Sequence, residues 1–215
     1  MYLMLTESDN TATDVFLETI GGAAAVTAWL RRIGLEDMRV DRSTAQLLRQ
    51  YAGLPEPEPG VSAYDQYMAA RGTPGIDSFS LGGGSPQYLA FEQDPRDQAT
   101  PQAMNALLVR LWKGELLSAG STQVLQDIML RCNTGSARLK GLLPAGTPVA
   151  HKTGTIAGTF NDTGVISLPD DKGSLAITVY VKSAIGNGSD HERVIAEIAR
   201  TAFDYFVLAG EMAGR

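Results

Sequence analysis

Three stretches near the end of the chain restrict its fold more than anything that precedes them. Residues 149–157, 163–168 and 174–183 are strand-like runs, and the last two are joined by Pro169-Asp170-Asp171-Lys172-Gly173, a cluster of turn formers. Runs connected this tightly form an antiparallel meander. Ser189-Asp190-His191-Glu192 reads as a capping box that opens a terminal helix. Ile195, Ile198, Ala202, Tyr205 and Phe206 make an apolar stripe along that helix, which places it on the sheet. Residues 144–215 are therefore expected to be a three-stranded sheet with a covering helix, in an α+β fold.

Residues 1–143 read as a mainly helical lobe. Residues 11–20 are helical up to Gly21-Gly22, and residues 23–33 place Val26, Leu30 and Ile33 on one face before Gly34 stops them. Residues 38–51 are less regular. From Pro55 to about Phe91 the composition shifts to prolines, glycines and spaced acids, a long excursion of the kind that is normally functional or mobile. Thr100-Pro101 caps the next helix, with Met104, Leu107, Leu108 and Leu111 on its buried face. In the helix capped by Ser121, Val124, Leu125, Ile128, Met129 and Cys132 recur at helical spacing, so Cys132 reads as core. Asn133-Thr134-Gly135 ends that helix, and residues 136–143 read as a short helical piece carrying Arg138 and Lys140. No strand or helix is expected ahead of Ser8.

With 44% apolar residues in 215, a sizeable core is available. A net charge of -6 and no Lys/Arg cluster argue against nucleic-acid binding. One cysteine excludes an intrachain disulfide. No apolar run reaches the length of a membrane span, and Met1-Tyr2-Leu3-Met4 lacks the features of a signal peptide. His151 and His191 have no neighbouring cysteine, so no metal-ligand spacing exists and no cofactor is implied.

Chemistry concentrates in two places. The strand Val149-Ala150-His151-Lys152-Thr153-Gly154-Thr155 offers a cation, two hydroxyls and a bare backbone, which is anion-binding equipment. Ser8-Asp9-Asn10 stands at a helix start, where any of the three could serve as cap. In this order the two motifs resemble those of class A serine β-lactamases. The likeness extends to Gly21-Gly22, residues 38–42 and 96–101, Thr134-Gly135-Ser136-Ala137-Arg138, Leu142-Leu143-Pro144-Ala145-Gly146 and residues 151–170. It covers nearly the whole chain outside residues 55–91.

The resemblance implies a β-lactamase/transpeptidase-like domain over residues 1–215 and roles for its residues. Ser8 would relay a proton to the leaving nitrogen and Lys152 would support it and attract the substrate carboxylate. Asn10 would bind the side-chain amide, while Arg138, Thr153, Gly154 and Thr155 would hold the carboxylate end, with the Thr155 N–H as one oxyanion donor. Arg42 and Asp97 would tie off an omega loop expanded over about residues 43–97. A small-molecule β-lactam or peptidoglycan-like ligand, and a periplasmic or secreted location, are likewise implied.

Two departures stand out. The family's nucleophile lies in S-x-x-K upstream of the Ser8 motif, and no lysine in the chain follows a serine by three. The expectation is a chain lacking the N-terminal part of the domain, inactive as given, with a stripped sheet edge at residues 174–183 through which copies could associate. Second, Thr44 and Leu48 fall where the omega-loop glutamate and its asparagine partner belong. Glu56, Glu58, Asp65 and Asp77 are the acids in the excursion that could replace the base. A penicillin-binding or D,D-peptidase-like acylating protein and a non-catalytic pseudoenzyme are the alternatives.

Overall fold

A computed structural model describes residues 1–70, 85–156, 158–183 and 185–213. Strands β1 (Val149–Ile156), β2 (Thr159–Ser167) and β3 (Ser174–Val181) form an antiparallel sheet in the order β1-β2-β3. Strand β2 starts four residues earlier than its apolar run suggests. Its polar stretch Asn161-Asp162-Thr163 pairs in full with Gly154, Thr153 and Lys152, so backbone pairing with the neighbouring strand overrides side-chain character there.

The helical lobe comprises α1 (Tyr2–Thr6), α2 (Asn10–Thr19), α3 (Gly22–Arg32), α4 (Thr44–Tyr51), α5 (Ala63–Ala70), α6 (Pro86–Gln93), α7 (Pro101–Trp112) and α8 (Ala119–Leu130). Helix α9 (Gly188–Ala213) follows the sheet. Leu108 and Met129 pack on Ala150, joining α7 and α8 to one sheet face. On the other face Val149, Ile166, Ile177 and Val179 meet Ile195, Ala199 and Phe203 of α9. A sheet with both faces covered is what holds β1 rigid at the junction of the lobes.

Several expectations need correction. The buried stripe of α9 runs through Ile195, Ala199 and Phe203, at a spacing of four, whereas Ile198, Tyr205 and Phe206 are exposed. The helix begins at Gly188, with Asn187 Oδ1 accepting from the Ser189 N–H, and Glu192 pairs with Arg138 instead of closing a capping box. Helix α1 does precede Ser8, held from outside by the Asn133 N–H donating to Thr6 O. Residues 136–143 are a run of turns, because Asp162 Oδ2 takes the Leu139 N–H. Val124 is exposed, although Met129 and Cys132 are buried.

Among the described residues, the segment from Ser43 to Asp97 carries helices α4, α5 and α6. Helix α4 has a full capping box of Ser43 and Gln46, and Asp14 of α2 accepts from the Thr44 and Ala45 N–H groups at 2.7 and 2.8 Å. At the neck, Arg42 Nε donates to Asp97 at 2.5 Å and Arg42 Nη1 to Asp94 at 3.1 Å and Gln50 at 2.8 Å. The backbone closes the neck as well: the Asp41 N–H donates to Asp97, the Asp97 N–H to Asp41, and Met38 bridges Ala99. Hydrogen bonds from Arg96 hold Asp94 below the usual carboxylate range, and hydrogen bonds from Arg39 and from the Asp97 backbone N–H do the same for Asp41.

Candidate active site

A cleft of about 520 Å³ opens between the lobes. One wall is polar. Asp9 is the residue that caps α2, its carboxylate accepting from the Ala12 N–H at 2.6 Å, which leaves the side chains of Ser8 and Asn10 to the cleft. Ser8 sits in the left-handed region with φ 57°, a conformation costing a non-glycine residue on the order of 1 kcal/mol. That backbone turns its hydroxyl toward β1. Lys152 Nζ donates to Ser8 Oγ at 2.7 Å and to its neighbour's carbonyl, Thr153 O, at 2.6 Å. Burial lowers the Lys152 pKa below its ordinary 10.5, a penalty only partly offset by Cys132 and Asp162.

Arg138 is 5% exposed and almost fully engaged by the protein. Its Nη1 donates to Gly154 O and Asn161 O, its Nη2 to Thr155 Oγ1 at 2.6 Å, and its Nε to Glu192. Partners among the described residues take four of the five guanidinium N–H groups, leaving one on Nη2, so Arg138 holds Thr155 in place at the cleft. Because Thr155 Oγ1 accepts from arginine, its own proton is free to be donated outward. Thr153 Oγ1 shares a 2.6 Å hydrogen bond with Thr134 Oγ1. Gly135, with φ +67°, allows that approach, since a Cβ there would collide with Thr153 Cγ2. At Gly154 a Cβ would meet only Asn161 at ordinary distance, so the glycine is not demanded by packing and leaves the cleft side of the strand bare.

The opposite wall is apolar and comes from the expanded segment: Leu47 and Leu48 of α4, and Tyr64, Tyr67 and Met68 of α5. Thr44 stands at its edge. Among the described residues no carboxylate lines the cleft. Glu56 is bound to Arg49, Glu58 is exposed, and Asp65 is exposed beside Ser62, so none of these three reaches it. Asp77 lies outside the described residues. The sequence reading missed the aromatic wall, Thr134 and Asn161; the spacing of Tyr64, Tyr67 and Met68 by three and four was the available signal for a shared helix face. Arg42 and Asp97, brought together as described, lie outside this cleft.

A family model described as the β-lactamase enzyme family matches residues 1–206. The chain belongs to the class A serine β-lactamase family. It is 32% identical over 207 residues to the extended-spectrum β-lactamase PER-1 of Pseudomonas aeruginosa, covering 94% of this chain and 54% of that protein. With β-lactamase VEB-1 of the same organism it shares 30% identity over 211 residues, 94% of this chain and 57% of the relative. The chain thus spans about half the length of the curated relatives it matches. Among solved structures, an ancestral class A β-lactamase aligns with a TM-score of 0.70 at 34% identity, over 95% of this chain and 63% of that one. The TLA-1 extended-spectrum β-lactamase gives 0.72 at 27% identity, over 96% and 62%. The α+β architecture, a helical lobe against an antiparallel sheet with a C-terminal helix, is that of these class A neighbours. Among the described residues, no helix of this class A chain is long and apolar enough to cross a membrane.

Proposed function

We propose that this chain provides the substrate-binding half of a serine hydrolase that opens β-lactam rings through an acyl-enzyme. The observation that carries this reading is the 2.7 Å bond between Lys152 and Ser8, which joins motifs 144 residues apart at the cleft between the lobes. In the reaction an activated serine attacks the lactam carbonyl, the ring nitrogen needs a proton and the ring carboxylate an anchor. Ser8 is placed to pass that proton, with Lys152 lowering the cost of its transient negative charge. The hydroxyls of Thr153 and Thr155 and the ammonium of Lys152 form the carboxylate end, stiffened by Arg138. Asn10 faces the amide of the substrate's side chain. The acylated serine itself is not among these 215 residues, since no S-x-x-K occurs in them, and the chain on its own is predicted not to be acylated.

Calorimetric titration with benzylpenicillin and intact-mass analysis test this together. The chain is expected to bind reversibly without gaining mass, and Lys152→Ala to weaken binding about 10- to 100-fold, the range for losing a charge-assisted hydrogen bond. A stoichiometric penicilloyl adduct, or binding indifferent to Lys152, would contradict the reading. Among the described residues no carboxylate lines the cleft, which favours a second version, a penicillin-binding or D,D-peptidase-like protein that acylates and then releases slowly. A protein comprising this chain and an S-x-x-K serine separates the two. Steady nitrocefin turnover belongs to a β-lactamase, a single burst to the slow acylator, and neither to a pseudoenzyme.

A further inference from the structure

Helix α9 carries two apolar stripes, and the sheet uses only one of them. Ile195, Ala199 and Phe203 are buried in the cluster that holds Ile177 and Val179 of β3. Val194, Ile198, Tyr205 and Leu208, with Thr201 at their centre, recur at spacings of four and three along one flank, and all five are exposed. The other flank is charged. Arg193 pairs with Glu197 at 2.8 Å and Arg200 with Asp204 at 2.7 Å. Arg200 Nη1 also donates to Leu142 O, and Leu139 and Leu143 pack beside Val149, so the charged flank faces the residues that lead into β1. The apolar flank therefore points the opposite way, toward the edge of β3.

That edge is bare as well. Among the described residues β3 pairs with β2 alone. Its residues, Ser174 to Val181, include no charge, proline or glycine, and they pair one-to-one with β2 without a bulge. Charges, prolines and bulges are the means by which edge strands are kept from pairing further. We propose that the β3 edge and the apolar flank of α9 form one self-complementary surface, and that a second copy of this chain occupies it across a two-fold axis beside β3.

One operator satisfies both features. A two-fold axis perpendicular to the sheet continues it antiparallel and keeps both copies of α9 on one face, with their apolar flanks toward each other. Strands lie about 4.8 Å apart and α9 rests on β2 and β3, so it sits about 5 Å from such an axis and about 10 Å from its copy. Packed helices lie about 8–10 Å apart. Residues opposed across a sheet share a face, so β3 must meet its copy about a single residue. Centring on Thr178 pairs Leu175 with Val181 of the copy and sets Lys182 opposite Ser174, whereas centring on Ile177 would set Lys182 against Lys172. On the helices the stripe complements itself. Thr201 meets Thr201, Ile198 meets Tyr205 and Val194 meets Leu208, while the ion-paired charges stay on the far flanks. Seven paired strand residues and four large side chains at 44–65% exposure offer a contact on the order of the ~800 Å² that a stable interface buries on each side.

Sedimentation of the whole chain from low to high micromolar concentration tests this. A monomer–dimer equilibrium is expected, with Tyr205→Glu raising the dissociation constant about 100-fold, because an anchor is lost and a charge introduced on both sides of the axis. Tyr205 is 65% exposed, so the fold should survive, as circular dichroism will check. Mild oxidation of cysteine variants reads the geometry: Thr201→Cys should give a disulfide-linked dimer and Glu197→Cys, on the charged flank, should not, Cys132 being buried in both. Hydrogen exchange should find successive amides of β3 protected in the dimer and alternate ones in the dilute chain. A chain that stays monomeric, open-ended aggregation, or a dimer indifferent to Tyr205→Glu would overturn the proposal, as would equal cross-linking of the two cysteine variants. If Tyr205→Glu does not fold, the cross-linking comparison decides. None of these residues lines the cleft, so the outcome is independent of β-lactam binding.

Discussion

The two walls of the cleft are built on different physical terms. Ser8, Thr153 and Thr155 line the cleft from a strand and a helix cap whose backbones are locked by sheet pairing and by Asp9, with Lys152 behind Ser8 and not itself among the lining residues, and their polar atoms are already tied to protein partners. Leu47, Leu48, Tyr64, Tyr67 and Met68 hang on a 54-residue segment between Ser43 and Arg96 that is anchored to the rest through its neck and through Asp14 and Tyr88. Preorganised polar groups suit recognition of a fixed charge. An apolar wall on a separable segment suits adjustment to the variable arm of a ligand. On the proposed reading, the polar wall takes the ligand's anion and the apolar wall its variable arm.

Severing the neck is the harshest way to probe that separation. Arg42→Ala leaves Asp94 and Asp97 without the guanidinium that serves both, and Arg42 is buried, so the expected loss is about 3–5 kcal/mol. Hydrogen exchange should show where the loss falls: amides of α4 and α6 become labile while those of β1 and β2 keep their protection. Uniform loosening across both regions would mean that the segment is not a separate wall.

The same contrast explains what was legible in the sequence. Lys152 stands out within its own strand, whereas Ser8 and Arg138 enter only through the likeness to class A β-lactamases, since alone they read as a helix cap and a surface arginine. The meander was legible locally, since Pro169 to Gly173 enforces it. Which face of α9 is buried was not, because Ile195, Ala199 and Phe203 differ from Ile198, Tyr205 and Phe206 in their partners on the sheet, not in hydrophobicity. Helix α4 was hidden too. Its N-terminus is capped by Ser43 but also by Asp14, thirty residues away, and no local pattern announces that contact. The partners of Arg138 were not legible either: its guanidinium is engaged by Gly154, Asn161, Thr155 and Glu192, contacts across the sheet and to α9 that no local pattern announces.

A smaller effect is expected from the apolar wall itself. Replacing Tyr64 and Met68 by alanine removes apolar area from α5 at the cleft, and loss of ~1 kcal/mol of contact corresponds to about 3- to 10-fold weaker binding of a penicillin with an aromatic arm. 6-Aminopenicillanic acid, which has the anion but no arm, should bind the variant and the parent alike. Equal losses for both ligands would show that the walls do not divide the ligand between them.

The mildest perturbation needs no deletion, only pH. Lys152 must be protonated to attract a carboxylate, and burial places its pKa below 10.5, so affinity for an anion should begin to fall as pH rises while an ordinary lysine would still be charged. The sign follows from the cause: desolvation penalises the ammonium, and raising pH removes a charge that the site already holds at a cost. A bound carboxylate opposes this and moves the limb upward in the complex, by linkage in proportion to the affinity it gains. Lys152→Arg removes the limb, because arginine stays protonated throughout, though its planar fork will not reproduce the bond to Ser8. The aromatic wall predicts no alkaline limb of its own for ligands that lack a carboxylate. Titrating the affinity of a penicillin and of its methyl ester from neutral to alkaline pH therefore assigns the charge dependence to one wall, and an ester that tracks the acid would remove Lys152 from that role.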